Sequence, residues 1–400
     1  MKKILRILAL LLLVLAAAFF LFAPRYFDST MNVVDGKPLD PVSEEAKALH
    51  ATLTIVDLHS DTLMWKRNLL DSVDYGHMDL GRLKDGNVAL QVFSSVTKTP
   101  KDQNYDSNSA EGDNITLLVI GQLQPTHTWN SLLQRSLYHA KKLDDAVEQS
   151  PEQLRKVSGD PELTDLLAFR SKAEDKPVGA LLSIEGLHNL EGKAENLDAL
   201  HDAGFRMAGL THFFDNELAG SMHGEKKGGL TPFGRKIVKA MEAKGMIVDI
   251  AHLSKTATAE LLAMVTRPVV SSHGGVQATC GVNRNLTDDE IRGVAETGGV
   301  IGVGYWEGAV CDTSPAAIVT AMKHIRDLVG VEHVALGSDF DGTVTTRFDT
   351  TGLVHITDAL LKADFSEEEI RAIMGGNAIR VISEGLKPAS ALPKETDTAE

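Results

Sequence analysis

One alternation constrains this chain more than anything else in it. Short apolar, β-branched runs recur between residues 50 and 340: Leu53–Leu58, Val88–Phe93, Val178–Ile184, Met207–Leu210, Ile247–Ala251, Val269–Ser272, Val300–Gly304 and Val334–Gly337. Runs of that length with few polar interruptions read as strands buried on both faces. Between them lie stretches with helical apolar spacing, among them Thr128–Gln149, Leu197–Ala203, Pro232–Lys244, Lys255–Val265, Asp288–Glu296 and Pro315–Val329. Several carry start signals: Pro follows Thr231 and Ser314, Ser254 precedes Lys255, and Thr287-Asp288-Asp289-Glu290 has capping-box form. Eight strands alternating with helices predict an α/β protein with a (β/α)₈ barrel. A doubly wound open sheet is the alternative.

The N-terminus is a different material. Lys2, Lys3 and Arg6 precede an apolar run from Ile7 to Ala23. That pattern predicts an uncleaved signal anchor, or a signal peptide, with the rest of the chain beyond the membrane. Pro24 after Ala23 makes a poor cleavage site and favours the anchor. The expected organisation is a membrane segment over 1–23, a linker with a short helix over 24–50, a catalytic domain over 51–386 and a flexible tail over 387–400. The expected location is the inner membrane of a bacterium with the domain in the periplasm, or the periplasm or exterior after cleavage. A net charge of −15 and 5% aromatic content argue against a nucleic-acid partner. The 2 cysteines, Cys280 and Cys311, exclude a Cys₄ metal site, and their spacing leaves open whether they pair.

A barrel places its chemistry at the C-terminal ends of its strands. Here the predicted strands end on His59 and Asp61, then Glu185, His212, His252, His273 and Asp339. His59 and Asp61, two residues apart, point the same way from an extended strand. They can grip one divalent ion. Glu185 has two oxygens and can reach a second ion, completed by His252 and His273 from adjacent strands. Imidazole and carboxylate donors suit Zn²⁺, and also Mn²⁺, Co²⁺ or Fe²⁺. Two ions sharing a water would bring its pKa toward neutrality, with Asp339 accepting its proton. Each residue alone has a plainer reading, as a core histidine or a loop carboxylate; their recurrence at the same end of successive strands favours a metal centre. Asp341 reads as structural, and His223, shortly after the fourth strand, merits inspection. Gly298–Gly304 lies within a strand and does not open a helix, which argues against nucleotide binding.

These residues resemble the membrane (renal) dipeptidases, peptidase family M19 of the amidohydrolase-type metal barrels. The resemblance spans residues 50–385. It rests on Asp-Leu-His-Ser-Asp-Thr at 57–62, Ile-Glu-Gly at 184–186, Leu-Thr-His at 210–212, Ile-Ala-His-Leu-Ser at 250–254, Ser-His-Gly at 272–274, Asn-Arg-Asn-Leu at 283–286, Gly-Ser-Asp-Phe-Asp-Gly at 337–342 and Gly-Gly-Asn at 375–377. It implies two zinc ions on His59, Asp61, His252 and His273 with Glu185 bridging, and hydrolysis of free dipeptides by a bridging hydroxide. It also implies substrate contact and oxyanion stabilisation by His212, a carboxylate clamp at Arg284, tolerance of D-configured C-terminal residues, and a homodimer. Without it, Arg284 reads as a surface arginine. The vertebrate members carry a Trp-containing loop where this chain has residues 213–224, and a C-terminal lipid anchor whose membrane role the N-terminal segment would take here. Another hydrolase on the same scaffold, acting on lactones, cyclic amides or N-acyl amino acids, is the alternative function. A metal-free binding barrel is the third.

Overall fold

The computed structural model describes residues 1–388. Eight strands form the barrel: β1 Ile55–Asp57, β2 Val88–Phe93, β3 Val178–Glu185, β4 Phe205–Gly209, β5 Ile247–Asp249, β6 Val270–Ser271, β7 Val300–Val303 and β8 Val334–Leu336. Each pairs in parallel with its predecessor, and Leu336 pairs with Asp57 to close the ring. The open-sheet alternative is thereby excluded. Alternate residues sort into two packed layers, as the two-residue period of a strand requires. Phe93, Ala180, Leu182 and Ala208 join the layer packed under the surrounding helices. Leu90, Val92, Leu181 and Met207 join a second cluster with Ala378, Val381 and Ile382 of helix Asn377–Gly385. Strand-start residues Ile247, Val270 and Val300 belong to that second cluster, so this helix covers the N-terminal end of the barrel. The C-terminal end is left for chemistry.

The helix starts follow their capping residues. Thr231, Ser254 and Ser314 each accept the expected backbone N–H, and Thr287 with Glu290 forms the full capping box. The helix expected from Thr128 begins instead at Leu132, because the Ser131 side chain caps Gln134 N–H. Three short strands were not legible. Leu154–Lys156 pairs with the start of β3, and Val33–Val34 pairs with Thr345–Thr346. None has an apolar run long enough to announce it.

The N-terminal apolar segment is one helix, Lys2–Met31, continuing through Pro24. It is long and apolar enough to cross a membrane. Its side chains from Ile4 to Leu15 are exposed, while Asp28 near its end is buried against the barrel. After it, Ser43 caps helix Glu44–Ala51 and donates its hydroxyl to Asp358 at 2.7 Å.

Candidate metal centre and active site

Every residue expected at the strand ends arrives at one buried cluster. His59 and Asp61 follow β1, Glu185 ends β3, and His212, His252, His273 and Asp339 follow β4, β5, β6 and β8. Two of these positions are backbone-strained: His252 has φ 65° and Asp339 φ 60°. Non-glycine residues persist in that region only where their surroundings over-determine them. Gly186 is required for a related reason. Its φ is 93°, and a Cβ there would sit 2.5 Å from the His188 ring.

Glu185 faces two sets of partners. Its Oε2 lies 3.4 Å from His59 Nε2, while its Oε1 lies 2.7 Å from His252 Nε2 and 3.2 Å from His273 Nε2. His59 Nε2 is also 3.6 Å from Asp61 Oδ1, and neither atom finds a hydrogen-bond partner among the described residues. The Nε2 atoms of His252 and His273 approach to 3.1 Å. Among the described residues His59 Nε2 and Asp61 Oδ1 are left without a protein donor in this convergence of buried lone pairs, and a cation is what it fits. His59, Asp61 and Glu185 form one group of donor atoms near enough to share an ion. Two further groups, Glu185 with His212 and His252, and His59 with His273 and Asp339, overlap it. The donor set is nitrogen and carboxylate oxygen, as zinc and its neighbours take.

The electrostatics separate the two central carboxyls. Burial works to raise Glu185, but His212 and His59, with hydrogen bonds from His252 and His273, hold it well below the usual carboxylate range. Burial raises Asp339 well above that range; His59 opposes this, and the nearby Asp61 and Glu185 charges add to it. Burial, helped by Arg284, holds His252 well below an ordinary imidazole, and a neutral imidazole is the form that could bind a metal.

The bare-sequence reading of Arg284 is corrected: it is 2% exposed, with Nη2 2.8 Å from the His273 carbonyl oxygen. Among the described residues no carboxylate lies within ion-pair distance of it. Asn285, beside it, donates to the carbonyls of Cys280 and Ala309 at 2.8 and 2.9 Å. Cys280 and Cys311 are joined by a disulfide. The Arg284 turn is therefore pinned to the short helix Glu307–Val310 by the bridge and by Asn285. Arg284, Asp61, Glu185, His212 and Asp339 open on a cavity of about 1010 Å³.

Two supporting carboxylates escaped the sequence reading. Asp57 of β1 accepts from Ser338 N–H at 2.8 Å and Gln91 Nε2 at 3.0 Å, besides the Ser338 hydroxyl. Asp249 of β5 accepts from Ser272 N–H and Ala251 N–H, each at 3.0 Å, and from the Ser272 hydroxyl. Each fixes the serine immediately before a site residue, Asp339 or His273. The Asp-Xaa-His and Ser-His patterns were the available signal, but the pairing depends on strand register. His223 is buried beside the site, its ring stacked on Phe213 at 4.5 Å and its Nδ1 2.8 Å from the Tyr105 carbonyl oxygen.

Comparison with known proteins bears on the lineage and the fold. The membrane dipeptidase family, peptidase family M19, matches residues 43–394. Dipeptidase aclJ of Aspergillus oryzae is 29% identical over 413 aligned residues, covering 96% of this chain and 91% of that protein. Dipeptidase verJ of Clonostachys rogersoniana is 28% identical over 374, covering 90% of each. Among solved structures, the probable dipeptidase PvdM from Pseudomonas aeruginosa superposes with a TM-score of 0.71 at 19% identity, covering 86% of this chain and 98% of that one. A metallopeptidase from Rhodobacter sphaeroides, liganded with a phosphinate mimic of the dipeptide L-Ala-D-Ala, gives 0.69 at 21%, covering 84% and 99%. The structural likenesses speak for the fold, and the family match over most of the sequence settles the lineage: this chain belongs to the membrane dipeptidase family, peptidase family M19.

Proposed function

We propose that this protein is a two-zinc dipeptidase that hydrolyses the peptide bond of free dipeptides beyond the membrane that its N-terminal helix enters. The two-sided engagement of Glu185 carries the reading, Oε2 toward His59 and Oε1 toward His252 and His273. His59 and Asp61 would hold one ion, His252 and His273 the other, and Glu185 both. Bound divalent ions supply Lewis acidity and a nucleophilic water at neutral pH.

The chain's own residues do the rest. Asp339, with its raised proton affinity, takes the proton of the attacking water and passes one to the leaving amine. His212 Nε2, 3.5 Å from Glu185, is placed to donate to the oxyanion. Arg284, a buried cation without a carboxylate partner, receives the C-terminal carboxylate of the substrate. The phosphinate complex of the Rhodobacter relative supports testing dipeptides with a D-configured second residue. The Cys280–Cys311 bridge supports an oxidising compartment, the periplasm of a bacterium.

The test is metal analysis of the full-length protein in detergent, followed by a panel of dipeptides. Two equivalents of zinc, with turnover that a chelator removes and zinc restores, is the expected result. Hydrolysis of lactones or N-acyl amino acids in preference to dipeptides would overturn the substrate reading. No metal after reloading would overturn the centre itself.

A further inference from the structure

The N-terminal helix does more than lie beside the barrel. Residues 7–24 carry no charge. Eighteen helical residues rise about 27 Å, close to the roughly 30 Å of bilayer hydrocarbon. The last residues of that run already meet the catalytic domain: Pro24 is buried, and Lys66 Nζ donates to the Phe20 carbonyl at 3.4 Å. Asp28, 2% exposed, pairs through Oδ2 with Arg67 Nε at 3.0 Å. Arg67 pairs in turn with the carboxylate of Asp341, which is fully buried. Asp28 Oδ1 accepts from Asn32 Nδ2 at 2.8 Å, and Asn32 Oδ1 accepts from Thr343 N–H at 2.9 Å. Val33 N–H and Asp35 N–H donate to the carbonyls of Val344 and Thr346 at 3.1 and 2.8 Å.

All these contacts land on the loop that carries Asp339. That loop holds three left-handed non-glycine residues, Asp339 at φ 60°, Asp341 at 64° and Thr343 at 62°. Such a path needs external support. Asp341 also accepts from Thr62 Oγ1 at 2.7 Å, beside Asp61, and Asp61 N–H donates to the Phe340 carbonyl at 2.9 Å. Phe20, Phe27 and Met31 of the helix line the same cavity as Glu185 and Asp339.

We propose that the membrane helix is a permanent part of the catalytic centre, one wall of its cleft, and that Asp28 is a positioning residue acting through Arg67 and Asp341 on the Asp339 loop. The kinetic consequence rests on the reading of Asp339 as the proton carrier; the structural one does not. The helix is consequently retained in the working enzyme.

The test uses the full chain in lipid nanodiscs, with Asp28→Asn, Asn32→Ala and, as a control on the same helix, Arg25→Ala. Arg25 meets the exposed Asp74 at 2.9 Å and the half-buried Tyr75 ring at 5.1 Å, and makes no contact with Asp28 or Asn32 among the hydrogen bonds and ion pairs of the described residues. Asp28→Asn leaves Arg67 balanced by Asp341, so no unpaired charge is created. Hydrogen exchange at residues 340–346 should quicken about tenfold in the first two variants while barrel amides keep their protection. Their kcat should fall on the order of 10- to 100-fold, as displacement of a catalytic group does, with KM within about twofold of the parent. The control should match the parent in both readouts. Gly76→Ala asks the same question without touching the helix: Gly76 has φ 66°, and a Cβ there would lie 2.6 Å from the Arg67 guanidinium. It should reproduce the Asp28→Asn behaviour, and it decides the matter if Asp28→Asn does not fold. Unchanged exchange in the loop, or faster exchange with undiminished kcat, overturns the proposal. So does an active mature protein whose intact mass shows that it starts after Met31. A parent that turns over no dipeptide refutes the proposed activity alone; the exchange and mass arms still judge the helix.

Discussion

Arg284→Met separates binding from stability more sharply than any other single change. The Arg284 guanidinium is 2% exposed and donates to one carbonyl, that of His273 at 2.8 Å; the Trp306 ring lies 5.8 Å away. Burial lowers its pKa, partly offset by the nearby Asp339 charge. A desolvated cation without a carboxylate partner is a standing cost to the fold. Replacing even a buried ion pair by apolar atoms of similar volume is often neutral or stabilising by about 1–4 kcal/mol, and a cation without a carboxylate partner has less Coulomb attraction to lose. The methionine variant should therefore melt a few degrees higher. In the proposed reading the substrate carboxylate is the missing partner. Two charge-assisted hydrogen bonds at about 1.5–3 kcal/mol each put the loss on binding near 3–6 kcal/mol, a factor of about 10² to 10⁴. The assay is kcat/KM for a dipeptide against the same dipeptide with its C-terminus amidated. The parent should prefer the free acid by about that factor, and Arg284→Met should treat the two nearly alike. A variant that still discriminates, or that melts lower than the parent, refutes the clamp.

Asp339→Asn should lower kcat by about 10²- to 10⁴-fold, the usual yield of general acid–base catalysis, while zinc content stays at the parental level; near-parental kcat would remove Asp339 from the mechanism. Stability should fall in acid through His50 and His139, which burial pushes down to about 4 and about 3. Both lie below the unfolded value near 6.5, so the unfolded chain takes up protons first as pH drops: the contribution is whole above pH 6.5 and is lost on going down. At about 1.4 kcal/mol per pH unit per imidazole, urea unfolding at pH 6.5 and pH 5 should differ by roughly 2 kcal/mol for each, and His139→Gln should flatten the slope. Reduction of the Cys280–Cys311 bridge should raise KM more than it lowers kcat, because the bridge ties the Arg284 turn rather than the metal ligands; an unchanged KM after complete reduction would count against that role.

The sequence made the clustering of these side chains legible because a barrel converts one-dimensional spacing into a single end of the molecule. His59, Glu185, His252 and His273 each follow an apolar run, and the parallel ring brings those run-ends together. Arg284 was not legible by the same logic. It lies in a turn beyond β6, and that turn is tied through Asn285 to Ala309 in the short helix that follows β7. The Asp28–Arg67–Asp341 chain was hidden for a related reason: three charged residues in unrelated segments look like three solvated charges until tertiary contacts bury them. Asp341 did read as structural, and it sits fully buried at the hub of that chain.

The support beneath the metal donors follows a rule that only register could reveal. Asp57 on β1 holds Ser338 past the end of β8, and Asp249 on β5 holds Ser272 past the end of β6. These two strand pairs lie on opposite sides of the ring, so each side of the cluster has its own carboxylate-to-serine tie. Burial raises the pKa of both carboxyls, and the serine hydrogen bonds are the first opposition to it. The cost falls where it fixes the proposed ligand His273 and the proposed proton carrier Asp339, since a second layer of hydrogen bonds sets the orientation of the first. The third side of the cluster, the Asp339–Thr346 loop, has no such strand-borne carboxylate beyond Asp57 at its root. Its path through left-handed residues is held instead by Asp341 and by the end of the N-terminal helix. The N-terminal helix thus adds its end to the contacts with residues 60–77 that already hold this loop.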